Sequence, residues 1–236
     1  MPYVFLNIKN IGWGMKLAAL ISGGKDSIYA LKRVSEDHDV NYLICVKAEA
    51  DSKFLHSENL DLVKLQSEAL GIPLVWREGS GEGMAPLEDA IETVSDKVDG
   101  IVSGAIASNY QRERVETICD RFDLESLVPL WGMDEHELME NLIRESFDIV
   151  VVKVAAQGLG DEWLGRKIDG KALKDLKDLE TQYSIHVAGE GGEFETVVVD
   201  CPIFSRKINI KKVDKKWEAN TGTGYMSIIS AGLVDK

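Results

Sequence analysis

Lys16-Leu17-Ala18-Ala19-Leu20-Ile21-Ser22-Gly23-Gly24-Lys25-Asp26-Ser27 is the stretch that sets the fold. Leu17 to Ile21 are apolar without polar alternation, the pattern of a strand buried on both faces. Two glycines then permit a sharp turn and a close backbone approach, and Ser27 to Arg33 opens a helix. Strand, Gly-rich turn and helix in that order aim backbone amides and a helix N-terminus at one point, where an anion is stabilised. Lys25 adds a positive charge, and Ser22 and Ser27 add hydroxyl donors. Asp26 is out of place beside an anion unless a magnesium ion bridges it to phosphate. An ordinary strand–turn–helix corner favours Gly and Ser too, but this hexapeptide arises by chance about once in ten million positions. GxxxxGK[ST] and GxGxxG are both absent, so the loop is neither a Walker A loop nor a dinucleotide fingerprint.

Outward from this stretch, strand and helix signals alternate. Tyr42 to Val46, Leu74 to Trp76 and Asp99 to Ser103 read as further strands. Asn59 to Leu70 carries Leu60, Val63, Leu65 and Leu70 near helical spacing and stops at Gly71 and Pro73. Pro86 suits a first helical position ahead of Leu87, Ile91 and Val94. Gln111 to Phe122 forms a helix with Val115, Ile118 and Phe122 inward. This order predicts an α/β fold, a parallel sheet with helices on both faces, and ligands beyond the carboxyl ends of its strands. The Ser22–Ser27 and Gly104–Asn109 turns both fall there.

Beyond Pro129 the pattern changes. Asp134 caps a predicted helix through Glu145, with His136 and Glu137 in its first turn; Ile149 to Val154 is a β-branched strand and Lys171 to Tyr183 a charged helix. Thr196 to Val199, Lys207 to Ile210 and Met226 to Ile229 read as extended. A smaller C-terminal α+β unit is therefore expected, with domains at 16–125 and 126–236. Residues 1–15 are an N-terminal extension, either a short edge strand or sequence upstream of a true start at Met15.

Composition narrows the function classes. The balance of 27 basic against 40 acidic side chains gives a net charge of -13, which disfavours nucleic acid as a direct partner and suits cationic ligands or basic proteins. Cys45, Cys119 and Cys201 are odd in number and far apart, against a disulfide framework or a Cys-rich metal site. No apolar run reaches the roughly 20 residues that cross a bilayer, and the start lacks signal-peptide character. A cytoplasmic protein without membrane contact is expected, its oligomeric state open between a monomer and a homodimer.

Other stretches carry chemistry. Gly189-Glu190-Gly191-Gly192-Glu193-Phe194-Glu195-Thr196 packs three acids among three glycines before an apolar strand. Clustered like charges repel, so the string reads as a pocket for a cationic ligand, with Phe194 offering a cation–π face, or else as a solvated acidic hairpin. In Gly104-Ala105-Ile106-Ala107-Ser108-Asn109-Tyr110-Gln111-Arg112, small residues let a nucleotide lie close and Gln111 or Arg112 reach phosphate; the alternative is a helix cap by Ser108 or Asn109. Trp163-Leu164-Gly165-Arg166 offers an aromatic ring and a guanidinium, or a packing anchor, and His56 lies in the polar loop Ser52 to Asn59.

SGGKDS at 22–27 resembles the phosphate loop of the ATP-pyrophosphatase superfamily. With GAIASNYQR at 104–112, PLWG at 129–132 followed by Asp134, WLGR at 163–166 and AGEGGEFET at 188–196, the chain from Lys16 onward resembles the diphthine–ammonia ligase family, an N-type member of that superfamily. The resemblance implies an adenine nucleotide alpha hydrolase-like (HUP-type) fold, with ATP bound by 16–125 and substrate by 126–236. It implies ATP and Mg2+ as cofactors, and as partners ammonium and elongation factor 2 bearing diphthine, a modified histidine with a carboxylate and a trimethylammonium group. Adenylation of that carboxylate releases pyrophosphate, and ammonia then displaces AMP. By the same resemblance Ser22 to Ser27, Gly104, Ala105 and Ser108 hold ATP, with Asp26 on the metal. His56, Asn59, Gln111, Arg112, Trp163, Arg166 and Glu190 to Glu195, including Gly191 and Gly192, approach substrate. Lys25, Asp26, Glu190 and Glu193 act in catalysis. The alternatives are another adenylating enzyme, such as a tRNA-modifying ligase, and a non-catalytic ATP sensor.

Overall fold

The computed structural model describes residues 14–48, 59–79 and 84–236. The proposed edge strand or start region, up to residue 13, and His56 lie outside the described residues.

β1 (Lys16–Leu20) is the centre of a five-stranded parallel sheet with β2 (Asp39–Ala48), β3 (Leu74–Gly79), β4 (Gly100–Val102) and β5 (Glu125–Leu127), in the order β3-β2-β1-β4-β5. Leu17 and Ala19 face one core, shared with Ile28 and Leu31 of α1 (Lys25–Val34) and Val63 of α2 (Leu62–Leu70). Ala18 faces the other, with Ile91 of α3 (Met84–Glu92) and Val115 and Ile118 of α4 (Asn109–Arg121). Strand alternation thus covers the sheet on both sides, as the apolar run predicts. The chain runs outward from β1 through β2 to β3, then returns to β1's other side for β4. The crevice at this reversal opens at the carboxyl ends of β1 and β4, where ligands of such sheets sit.

The C-terminal part contains α5 (Glu135–Arg144), a short 3-10 turn at Asp161–Trp163 and α6 (Gly170–Tyr183). They accompany an antiparallel sheet of β6 (Asp148–Val154), β7 (Phe194–Asp200), β8 (Lys207–Glu218) and β9 (Thr223–Val234), in the order β7-β6-β9-β8. Its apolar side joins the α1 and α2 side of the first sheet in one core.

Several boundaries differ from expectation. α1 begins two residues early, at Lys25, and α2 begins at Leu62 because Asn59 adopts a left-handed φ of 64°. Pro86 is the third helical residue rather than the first, still within the turn where a missing amide costs nothing. β5 has no apolar run to announce it, and β8 and β9 extend to 12 residues each.

Candidate active site

β1 ends at Leu20, and the chain turns through Gly23 at a left-handed φ of 82° before α1 starts at Lys25. Gly24 occupies the cap position and has no side chain to offer, so the helix N-terminus keeps its appetite for an anion. The loop braces itself: Ser27 Oγ accepts from the Ser22 amide at 3.2 Å and donates to Gly24 O at 3.1 Å. Gly104, after β4, presses against the first turn of α1. A Cβ there would stand 2.8 Å from Ser27 N and 2.9 Å from the Asp26 carbonyl carbon. Only glycine permits this contact, so the two loops seen in the sequence meet at the crevice.

The second sheet closes the other side. Val198 N donates to Gly23 O at 3.0 Å, and Thr196 Oγ1 accepts from the Lys25 amide at 3.3 Å. Gln66 of α2, fully buried, donates through Nε2 to both Gly23 O and Val198 O, each at 2.9 Å. Lys25 is 4% exposed; its Nζ bonds Asp26 Oδ2 at 2.9 Å and lies 5.7 Å from the centre of the Phe194 ring. Asp26 Oδ1 is buried and has no hydrogen-bond partner.

The acidic string divides by strand geometry. Neighbouring residues of β7 project to opposite faces. Phe194 and Thr196 therefore face the phosphate loop, while Glu195 pairs with Lys153 of β6 at 2.7 Å. This corrects the expectation of one pocket lined by all three acids and Phe194: Glu195 already has a cation, and the Phe194 ring is buried against Lys25. Glu190 and Glu193 remain, set by a turn in which Gly189 and Gly192 hold φ of 77° and 85° and Gly191 is exposed. Glu193 is 9% exposed; Oε1 accepts from the His186 amide at 2.9 Å, and Oε2 is buried without a partner. Glu190 is exposed as a residue, yet its carboxyl is crowded. Desolvation, then the Asp26 and Glu135 carboxylates, raise its pKa to about 7.

The remaining expected residues stand as follows. Ala105 is buried, and Ser108 caps α4, accepting from the Gln111 amide at 3.3 Å. Gln111 is exposed, and the Arg112 guanidinium stacks on Trp131 at 4.1 Å. Asn59 spends both ends of its amide on β9, donating to Met226 O at 2.8 Å and accepting from Ile228 N at 2.7 Å. Trp163 is a buried anchor; Arg166 stacks on it at 4.1 Å and pairs with Asp175 of α6. Neither Asn59 nor Arg166 therefore turns its side chain to the phosphate loop. Four residues at the site carried no assigned role in the sequence: Gln66, Thr196, Glu135 and His186. Gln66 had a signal, a lone amide three residues after Val63 on the inward face of α2.

All three cysteines are buried and unpaired, and burial pushes their thiols up to about 12. No helix among the described residues is long and apolar enough to cross a membrane.

Comparison with known proteins agrees along almost the whole length. Residues 15–126 match the family model for the diphthamide synthase N-terminal domain, and residues 134–234 match that for its C-terminal domain. The diphthine–ammonia ligases of Bos taurus and Homo sapiens are each 33% identical, over 94% of this chain and 94% of the relative. That of Danio rerio is 37% identical over 83% of this chain and 86% of its own length. A sheet reversal lined by a phosphate loop, with both halves of the chain matched in order, admits one conclusion: the chain belongs to the diphthamide synthase family.

Proposed function

We propose that this chain is an AMP-forming carbon–nitrogen ligase that amidates diphthine on elongation factor 2 with ammonia, the last step of diphthamide synthesis. The observation that carries the reading is the α1 N-terminus, whose cap residue Gly24 offers no side chain, flanked by Gly104 and with the Glu190 carboxyl coupled to Lys25 and Asp26. A carboxylate is a poor electrophile. Its attack on the α-phosphorus of ATP makes an acyl-adenylate and frees pyrophosphate, after which ammonia attacks the acyl carbon and AMP leaves. Little covalent work falls to the protein, so positioning and charge neutralisation supply most of the acceleration.

The residues fit ATP and Mg2+. Gly104 lets the loop after β4 press against the first turn of α1, and the first-turn amides and Lys25 supply positive potential. Mg2+ takes one or two carboxylates plus phosphate oxygens, and the buried, unpartnered Asp26 Oδ1 would hold it. When bound, the ion neutralises charge on the phosphates. Glu190 and Glu193 receive the trimethylammonium group or the incoming ammonium. The 16–125 part holds the nucleotide and the 126–236 part the protein substrate, with Thr196 reaching across from the second to the first. The cytoplasm, where elongation factor acts, is the compartment this reading requires.

A thiolating tRNA enzyme would need a reactive cysteine, and thiols held near 12 by burial are poor nucleophiles. A nucleotide sensor would bind ATP and release no pyrophosphate. The test is incubation with ATP, magnesium, ammonium and diphthine-bearing elongation factor, with mass spectrometry of the modified peptide. The small mass loss of acid-to-amide conversion is expected. Lys25→Ala and Asp26→Ala should each amidate about 10²-fold slower or worse; amidation at the parent rate by both would overturn the reading.

A further inference from the structure

Ammonium cannot attack an acyl-adenylate until it has lost a proton. A proton acceptor beside the acidic loop speeds that loss, and one other than the carboxylates that hold the cation leaves their charge intact. We propose that His186, oriented by Glu135, is this acceptor; the assignment rests on the ligase reading.

Glu135 opens α5, and both of its oxygens are engaged. Oε1 lies 2.7 Å from His186 Nδ1, and Oε2 accepts from the Ala188 amide at 3.1 Å. An ionised carboxylate only accepts hydrogen bonds, so Nδ1 carries the proton and Nε2 of the neutral ring is left with a free lone pair. The His186 backbone is tied to the acidic loop through its amide bond to Glu193 Oε1 at 2.9 Å. The buried, unpartnered Glu193 Oε2 on the same loop is an acceptor awaiting a donor, which ammonium has in excess. The charged groups facing His186 are Glu135 from α5 and Glu193 and Glu190 from the loop, and Glu190 in turn interacts with Lys25 and Asp26 of α1. Glu190 thus couples electrostatically to both His186 and the phosphate loop, and the His186 side chain is 55% exposed and open to a small amine from solvent. The bond to Glu135 raises its pKa, so the neutral ring is a stronger base while a smaller share of it is neutral near pH 7.

The step balances. Ammonium passes one proton to Nε2 and becomes ammonia. The nitrogen lone pair forms the C–N bond at the acyl carbon, and the C–O bond to AMP breaks with its electron pair on the phosphate. The nitrogen releases a second proton to water, and the imidazolium returns its proton to solvent. His186 is the catalytic base and Glu135 a positioning residue.

The experiment measures substrate-dependent exchange of pyrophosphate into ATP alongside amidation, with ammonium or hydroxylamine as the nucleophile. Hydroxylamine is largely unprotonated near neutral pH and needs no base. At about pH 7, His186→Gln should lower amidation with ammonium about 10²-fold relative to exchange, and Glu135→Gln about tenfold. The deficit should shrink as pH rises towards about 9 and free ammonia accumulates, and should vanish with hydroxylamine. Parent-like amidation by His186→Gln, or a deficit equal with both nucleophiles and at both pH values, overturns the assignment alone. Absence of exchange in the parent protein overturns the ligase reading and the assignment with it.

Discussion

Gln66 shows how much one buried side chain can hold. Its amide joins three elements, α2, the phosphate loop and β7, through two 2.9 Å bonds to Gly23 O and Val198 O. A buried carbonyl deprived of its donor costs about 1–3 kcal/mol, and Gln66→Leu deprives two at similar side-chain volume. Gly23 O keeps its bond from the Val198 amide, which reduces the loss. We expect a destabilisation of roughly 2 kcal/mol, with weaker ATP binding because the turn at Gly23 loosens. Urea denaturation and nucleotide titration of the variant measure both, and a parent-like denaturation midpoint would contradict the role. The same residue explains the limits of the sequence. The SGGKDS loop was legible because strand, glycines, lysine and helix lie within a dozen residues. Gln66 lies 43 residues from its loop partner and Thr196 lies 171 from Lys25, and no local pattern encodes such a meeting. The Glu135–His186 pair, 51 residues apart, was hidden for the same reason.

At the scale of elements, α5 ties capping to chemistry. Asp134 Oδ1 accepts from the His136 and Glu137 amides, both at 3.0 Å, and so fixes the first turn from which Glu135 reaches His186. Asp134→Ala should cost about 1 kcal/mol of stability. It should also let the first turn fray, weaken the Glu135 contact and lower the His186 titration midpoint; Asp134→Ser, which can still cap, should do neither to the same degree. Proton NMR of the imidazole across pH reads the midpoint, and an unchanged midpoint in Asp134→Ala would separate the cap from the pair. This cap was readable because it is local, Asp directly before an apolar-periodic helix. The parallel strands were readable too, since burial on both faces leaves uninterrupted apolar runs such as Leu17 to Ile21. β5 was not: three residues, Glu-Ser-Leu, gain their strand character from pairing with β4. The outer part of β8, Lys211 to Glu218, is exposed throughout as the edge strand of the second sheet, so no alternation marks it.

Across the whole molecule, the phosphate-loop helix is also pinned to the C-terminal part at its far side. Tyr29 of α1 packs edge-on against Phe147, with ring centres 5.6 Å apart, and its hydroxyl donates to Glu145 Oε1 at 3.0 Å. Lys32 Nζ forms ion pairs with Glu145 Oε2 at 2.7 Å and Glu36 Oε1 at 2.6 Å. Burial alone would push the Glu145 carboxyl up, but Lys32, the Tyr29 hydroxyl and Arg144 together outweigh it and hold the carboxyl below its ordinary value of 4.5. Glu145 and then Glu36 raise Lys32 above 10.5. An acid with a depressed folded pKa stabilises above its unfolded value and loses that contribution as pH falls through the folded one; a raised lysine stabilises below 10.5 and loses it as pH climbs through its folded value. The contribution of the contact is therefore complete near neutral pH and declines at both extremes. Glu145→Gln keeps the shape, removes the charge and leaves Lys32, 18% exposed, with only Glu36, for an expected loss of about 1–3 kcal/mol near neutral pH. In acid the parent's own Glu145 becomes neutral, so the two stability curves should converge as pH falls below 4.5 and through the folded pKa of that carboxyl. Urea denaturation of both proteins across that range decides it. A gap that persists undiminished after the parent's carboxyl has protonated would mean that shape rather than charge joins α1 to α5.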